Sequence, residues 1–210
     1  MGIKVSPNYR AGQRRRVTQE TAELLYTGQE KEYKQAKLCA AKTLGIHVLP
    51  SNAEVAIELD RIAEEREGRT RQERLTQMRH EALQIMQTLK NFNPILVGSV
   101  WRGTAHHNSD IDIYTYAQNP QKIISILQKN NYTITKTKVQ AVTKKGKKRQ
   151  SFHIYVSLLS NNQAEIVVRS PEDVDRRVRC EIYGDTVTGL TVKQLQQTLK
   201  ENPQQKFMPT

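Results

Sequence analysis

Within residues 96–113, Leu-Val-Gly-Ser-Val-Trp-Arg-Gly-Thr-Ala-His-His-Asn-Ser-Asp-Ile-Asp-Ile, the chain groups side-chain types that handle phosphate and divalent metal. Ile95-Leu96-Val97 is a short apolar run that ends in Gly98-Ser99. A buried strand delivering these two residues to a helix start exposes bare backbone N–H groups at the positive end of the helix dipole. Glycine allows a ligand to come close to the backbone, and serine adds a hydroxyl for a phosphate oxygen. Asp110 and Asp112 stand two residues apart in a stretch that alternates as a strand from Ser109 to Tyr116. Both carboxylates therefore leave one face, roughly 6–7 Å apart along the chain. Ile111 and Ile113 point the other way, into a core. Two like charges held side by side repel, and an arrangement of this kind calls for a cation. Hard oxygen donors at this spacing suit Mg²⁺ or Mn²⁺, with substrate phosphates completing the coordination.

Gly-Ser, ten intervening residues, then Asp-Ile-Asp-Ile resembles the signature of the DNA polymerase β-type nucleotidyltransferase superfamily. Arg102-Gly103 falls where minimal bacterial and archaeal members often carry Arg-Gly. The resemblance covers about eighteen residues of motif and extends over a core from Pro94 to Arg169. It implies an α+β fold, a small mixed sheet flanked by helices. It also implies transfer of an NMP from an NTP to a hydroxyl, with release of pyrophosphate. On that resemblance Asp110 and Asp112 hold divalent metal, and Gly98, Ser99 and Arg102 contact the nucleotide, ATP being the first expectation. The superfamily adds a third carboxylate from an adjacent strand, commonly Asp, and Glu165 in Ala-Glu-Ile-Val-Val is the best placed candidate here. Alternation puts Glu165, Val167 and Arg169 on one face, and Ile166 and Val168 on the other. Glu172, Asp173, Asp175 and Glu181 are rivals, the first three at an expected helix start where acids favour the dipole in any case.

These groups need elements to position them. Residues 1–17 are basic, aperiodic and read as a flexible arm. Residues 18–90 read as helical, with Ala36, Ala40 and Leu44 on one face. Ser51 and Glu54 form a capping box that opens a helix striped with Val55, Leu59 and Ile62, which Gly68 ends. A third stripe follows, Leu75, Met78, Ala82, Ile85, Met86 and Leu89. The charged residues between the stripes read as a solvated face. Arg74 and His80 resemble the spaced pair of helical HEPN ribonucleases, but chance in an arginine-rich helix explains them. Residues 91–210 read as the catalytic core with a C-terminal helix. Its elements are an amphipathic helix from Pro120, strands over 132–142, 152–159 and 165–169, a helix starting at Ser170-Pro171, and a last helix over 191–199. Residues 143–149, Thr-Lys-Lys-Gly-Lys-Lys-Arg, read as a basic hairpin loop. His106 and His107 read as a loop beside the site, and Trp101 as packing.

Charge and composition limit the partners. The 210 residues carry 33 Lys and Arg against 21 Asp and Glu, a formal charge of +12. The half after residue 90 holds +8 of this, which favours a phosphate-bearing acceptor such as RNA. A protein acceptor, as in adenylylating antitoxins, is the alternative, and a non-catalytic nucleotide- or RNA-binding module a second. No apolar run approaches the ~18–20 residues of a membrane span, and the first ten residues lack an apolar signal region. Cys39 and Cys180 are too few for a disulfide framework and predict reduced, buried thiols in a cytoplasmic protein.

Overall fold

The computed structural model describes residues 7–144 and 147–209, and of residues 7, 8, 142–144 and 147–149 the backbone alone. The chain forms two compact units, one running through Arg71 and including Cys180–Asp185, the other made of Gln72–Arg179 and Thr186–Thr210. This boundary lies nearly twenty residues before the expected one at residue 90. The reason is local: in helix α3 (Asn52–Thr88), Gly68 adopts φ 51°, ψ −126° and breaks the helical path. The stripe beyond it belongs to the second core.

The first unit contains α1 (Pro7–Tyr26), α2 (Tyr33–Leu44) and the first part of α3. Helix α1 begins within the stretch expected to be a flexible arm. Arginine is a good helix former, and Val17, at the end of the basic run, is fully buried. Residues 1–6 lie outside the described residues. Ala36, Ala40, Val55, Leu59 and Ile62 are buried together, as their spacing required. The Ser51–Glu54 capping box is formed, with Ser51 N–H donating to Glu54 at 2.7 Å and Glu54 N–H donating to Ser51 Oγ at 3.2 Å. Charged side chains on α3 pair with one another, as Arg61 does with Glu58 and Glu65. Cys39 and Cys180 are free thiols, half-buried rather than buried as expected.

The second unit is α+β. Its strands are β1 (Ile95–Val97), β2 (Ile111–Tyr116), β3 (Thr133–Lys144), β4 (Lys147–Ser157), β5 (Gln163–Arg169) and β6 (Leu190–Thr191). They form one mixed sheet in the order β3-β4-β5-β2-β1-β6, with only β2 and β5 parallel. The connection between those two consists of α5 (Pro120–Lys129) and the β3–β4 hairpin. Asn119 caps α5, accepting from Gln121 N–H at 2.9 Å, and Pro120 follows the cap as the sequence predicts. The tip of the hairpin and the lysines around it lie outside the residues whose side chains are described. The helix expected from Ser170 is only a 3-10 turn, Pro171–Asp173. The β-branched Val174 and Val178 lower helix propensity, and Val178 O instead accepts from Val187 N–H at 2.8 Å. A last helix, α6 (Val192–Glu201), starts at a full capping box of Thr191 and Gln194.

Register divides the sheet into a packed face and a polar one. Leu96, Ile113, Ile166 and Ile154 lie opposite one another across β1, β2, β5 and β4, and all four are fully buried. They meet Met78, Ile85 and Met86 from α3, Leu89 just beyond it, Ile123 and Leu127 from α5, and Leu195 from α6. One step along each strand the same alternation sets Val97, Asp112, Glu165 and Tyr155 in a second row on the opposite face. No helix among the described residues is long and apolar enough to cross a membrane.

Candidate active site

Short helix α4 (Gly98–Arg102) follows β1 directly, and no side chain caps its start. Gly98 has φ 71°, and a Cβ built there would lie 2.1 Å from Asp112 Oδ2. Only glycine lets the backbone lie against that carboxylate. The residue pair that the sequence places fourteen positions apart is thus in direct contact, with half-buried Ser99 next to it. Asp110 is exposed at the entry to β2, and Asp112 is half-buried within it.

Asp112 and Glu165 are direct neighbours across the parallel pair β2–β5. Burial pushes the Asp112 carboxyl up to about 7, and the charges of Glu165 and then Asp110 add to the effect. All three acids therefore belong to one electrostatic neighbourhood. As placed, and among the described residues, they do not form a group whose ligand atoms all lie within 4.8 Å of one another.

Glu165 is held from the side of β4. His153 Nδ1 lies 2.6 Å from Glu165 Oε1, and Ser151 Oγ lies 2.9 Å from His153 Nε2. An ionised carboxylate can only accept, so Nδ1 carries the proton, and in the neutral ring Nε2 accepts from the serine. Tyr155 also donates to Glu165, and this hydrogen bond, with burial second, pushes the phenol up to about 12. Ser151, His153 and Tyr155 escaped the sequence reading. Their trace there was alternation, with Phe152, Ile154 and Val156 between them, but nothing local fixes which β5 residue they face.

Arg102 and Gly103 occupy a different environment. Arg102 is 4% exposed, stacks over Trp101 with its Cζ 4.1 Å from the ring centroid, and donates to Phe207 O at 2.9 Å. Phe207 N–H returns a bond to Arg102 O at 2.9 Å. Gly103 ends α4 with φ 76°, and a Cβ there would meet Gln205 O at 2.7 Å. Behind α4 sits Arg79, fully buried. It donates to the carbonyls of Val100 (3.1 Å), Trp101 (3.0 Å), Pro203 (2.6 Å) and Gln205 (2.8 Å). Burial lowers its pKa to about 10, so it stays charged at neutral pH. A sequence signal for it existed: Leu75, Arg79, Ala82 and Met86 share helical spacing, so an arginine stands in an apolar stripe.

Of the rival acids, Asp173 pairs with Arg176 at 3.5 Å. Glu172 and Asp173 lie in the 3-10 turn, and Glu181 belongs to the first unit. His106 and His107 sit in the turn between α4 and β2, their ring centroids 5.8 Å apart.

A family model described as a domain of unknown function (DUF4269) matches residues 79–175, a little under half of the chain. No curated protein matches it in sequence. Among solved structures, the chain is similar to Cid1 described as an RNA terminal uridylyl transferase, at 13% identity and TM-score 0.33, covering 46% of this chain and 30% of that one. It is similar to Cid1 described as a poly(U) polymerase, at 15% identity and TM-score 0.32, covering 44% and 30%. It is also similar to a cytoplasmic RNA terminal U-transferase, at 14% identity and TM-score 0.28, covering 56% and 34%. The chain spans about a third of the length of these structures.

Proposed function

We propose that the chain is a divalent-metal-dependent nucleotidyltransferase that moves an NMP from an NTP, ATP first, to a hydroxyl of an RNA acceptor. The observation that carries this is the contact of Gly98 with Asp112, which in turn faces Glu165 on the neighbouring strand. A phosphate cradle, a pair of aspartates and a third acid then lie on one sheet face.

The donor set suits Mg²⁺ or Mn²⁺: hard carboxylate oxygens, one of them destabilised by its acidic neighbours, which a cation would relieve. Asp110 and Asp112 would hold the metal, whose chemistry is to neutralise charge on the α-phosphate and the departing pyrophosphate. Gly98 and Ser99 would seat the terminal phosphates against backbone N–H groups. Glu165, held by His153 and Tyr155, would complete the metal site as the third carboxylate and accept the proton of the attacking hydroxyl. In that step the acceptor oxygen bonds to the α-phosphorus, the bond to the bridging oxygen breaks, and pyrophosphate leaves. Arg102, nearly inaccessible to solvent, fits a positioning role in which it ties α4 to the tail rather than touching nucleotide. The charge of +12 supports a nucleic-acid acceptor.

The test is incubation of the purified chain with each α-³²P-labelled NTP, Mg²⁺ or Mn²⁺, and total RNA or cell lysate. Label migrating with RNA is the expected result, whereas label on protein would move the acceptor to that class. If the double variant Asp110→Asn/Asp112→Asn consumes NTP as fast as the parent, the active site is elsewhere.

A further inference from the structure

A cavity of about 270 Å³ opens on the same sheet face as the acids, lined among others by Val97, Tyr114, Tyr116, Arg169, Asp175 and Arg177. Strands β1, β2 and β5 form its floor. Its walls come from the segments around residues 174–178 and 186–188, which are tied together by Val187 N–H donating to Val178 O at 2.8 Å and by a bridge between Arg179 and Thr186. It is a built feature of the second unit. Its volume lies just under the range of about 300–1,000 Å³ common for small-molecule clefts, room for one ring system and a sugar.

Position and chemistry point to one kind of ligand. Asp112 on β2 lies against Gly98 of the cradle, Asp110 precedes it at the entry to the strand, and Tyr114 is the next residue on that face, roughly 6–7 Å beyond Asp112. On β1, Val97 faces Asp112 and Ile95 faces Tyr114, so the cavity begins where the acid row ends. Cradle, carboxylates and cavity are thus strung in a line. Terminal phosphates, α-phosphate and nucleoside follow the same order in a nucleoside triphosphate. The lining agrees: Arg169 Cζ lies 3.6 Å from the Tyr114 ring centroid, and Tyr116 is the strand partner of Arg169. Aromatic and guanidinium surfaces stack on bases, and Asp175 can accept from a sugar hydroxyl or a base amine. Arg169 and Arg177 against Asp175 leave the cavity positive, which suits the nucleoside end of a ligand that carries phosphate beside it.

We propose that this cavity receives the nucleoside of the incoming nucleotide, with Tyr114 and Arg169 contacting the base, and so sets nucleotide preference. The inference rests on the nucleotidyltransferase reading above, and the experiment separates the two. Binding of inorganic tripolyphosphate and of the α,β-methylene analogues of ATP, GTP, CTP and UTP is measured by calorimetry on the full chain with Mg²⁺. At least one analogue should bind about tenfold or more tighter than tripolyphosphate. Val174→Trp, which fills the cavity, should erase that advantage and leave tripolyphosphate binding unchanged, and Arg169→Gln should independently erase the advantage. Circular dichroism confirms that each variant is folded. If tripolyphosphate binds and every analogue binds only equally well, or if the folded variants keep the advantage, the cavity is not the nucleoside site although the cradle stands. If neither tripolyphosphate nor any analogue binds, the reading beneath the inference falls with it.

Discussion

Arg79 and the acid row treat buried charge in opposite ways. Around Arg79, one guanidinium meets four carbonyl oxygens and no like charge, so the desolvation of the ion is offset by hydrogen bonds from backbone groups that also need partners. Around Asp112, burial first and then the charges of Glu165 and Asp110 disfavour the charged carboxylate. The first arrangement stabilises the fold and offers nothing to a ligand. The second strains the fold and becomes favourable once positive charge arrives. On the proposed reading the difference separates architecture from function within one unit: a buried ion met by hydrogen bonds marks a joint, and one crowded by like charges marks a site.

Breaking the joint should have the largest effect. Arg79→Ala leaves four inward-facing carbonyls without their donor, so the second unit should lose about 3–5 kcal/mol or fail to fold, read by urea denaturation. Next comes Gly98→Ala, which combines an unfavourable φ with a collision against Asp112. It should cost about 1–3 kcal/mol in stability and lower turnover by a factor of about 100 or more, because it displaces the cradle and a carboxylate together.

The site itself should respond with the opposite sign. Asp112→Asn removes a repelled charge, so in EDTA its Tm should rise by about 2–6 °C while NTP turnover disappears. A melting temperature that falls instead would mean that Asp112 is satisfied by contacts its acidic neighbours do not outweigh. The smallest effect belongs to His153. His153→Ala should lower kcat by about tenfold with KM for NTP little changed, as loss of a group that orients Glu165. His153→Asn, whose amide can place a donor near the Nδ1 position, should recover part of that loss, whereas a purely packing role would not distinguish the two.

The sequence made the acid face readable because strand alternation needs no knowledge of distant residues. Asp110 and Asp112 had to share a face, and Ile111 and Ile113 had to be buried, wherever the strand lay. The placement of Glu165 beside Asp112 was a matter of order and resemblance, and the parallel pairing of β2 with β5 supplies it. What stayed hidden depends on long-range register. Tyr155 opposite Glu165 follows from a hairpin and an antiparallel pairing that no local pattern specifies. Arg79 stands in an apolar stripe, but its acceptors come from α4 and from residues 203 and 205 beyond α6, which no local pattern reveals. Arg102-Gly103 was legible as a motif, but its docking of that tail was not.

That docking has a kinetic side. The carbonyls that fix Arg79 and Arg102 at residues 203, 205 and 207 lie 124, 126 and 105 positions along the chain from the arginines they bind. Contacts of such separation close late, after the hairpin and the local helices have formed. During synthesis the sheet can therefore assemble and align its carboxylates while α4 still lacks the brace that residues 203–207 supply.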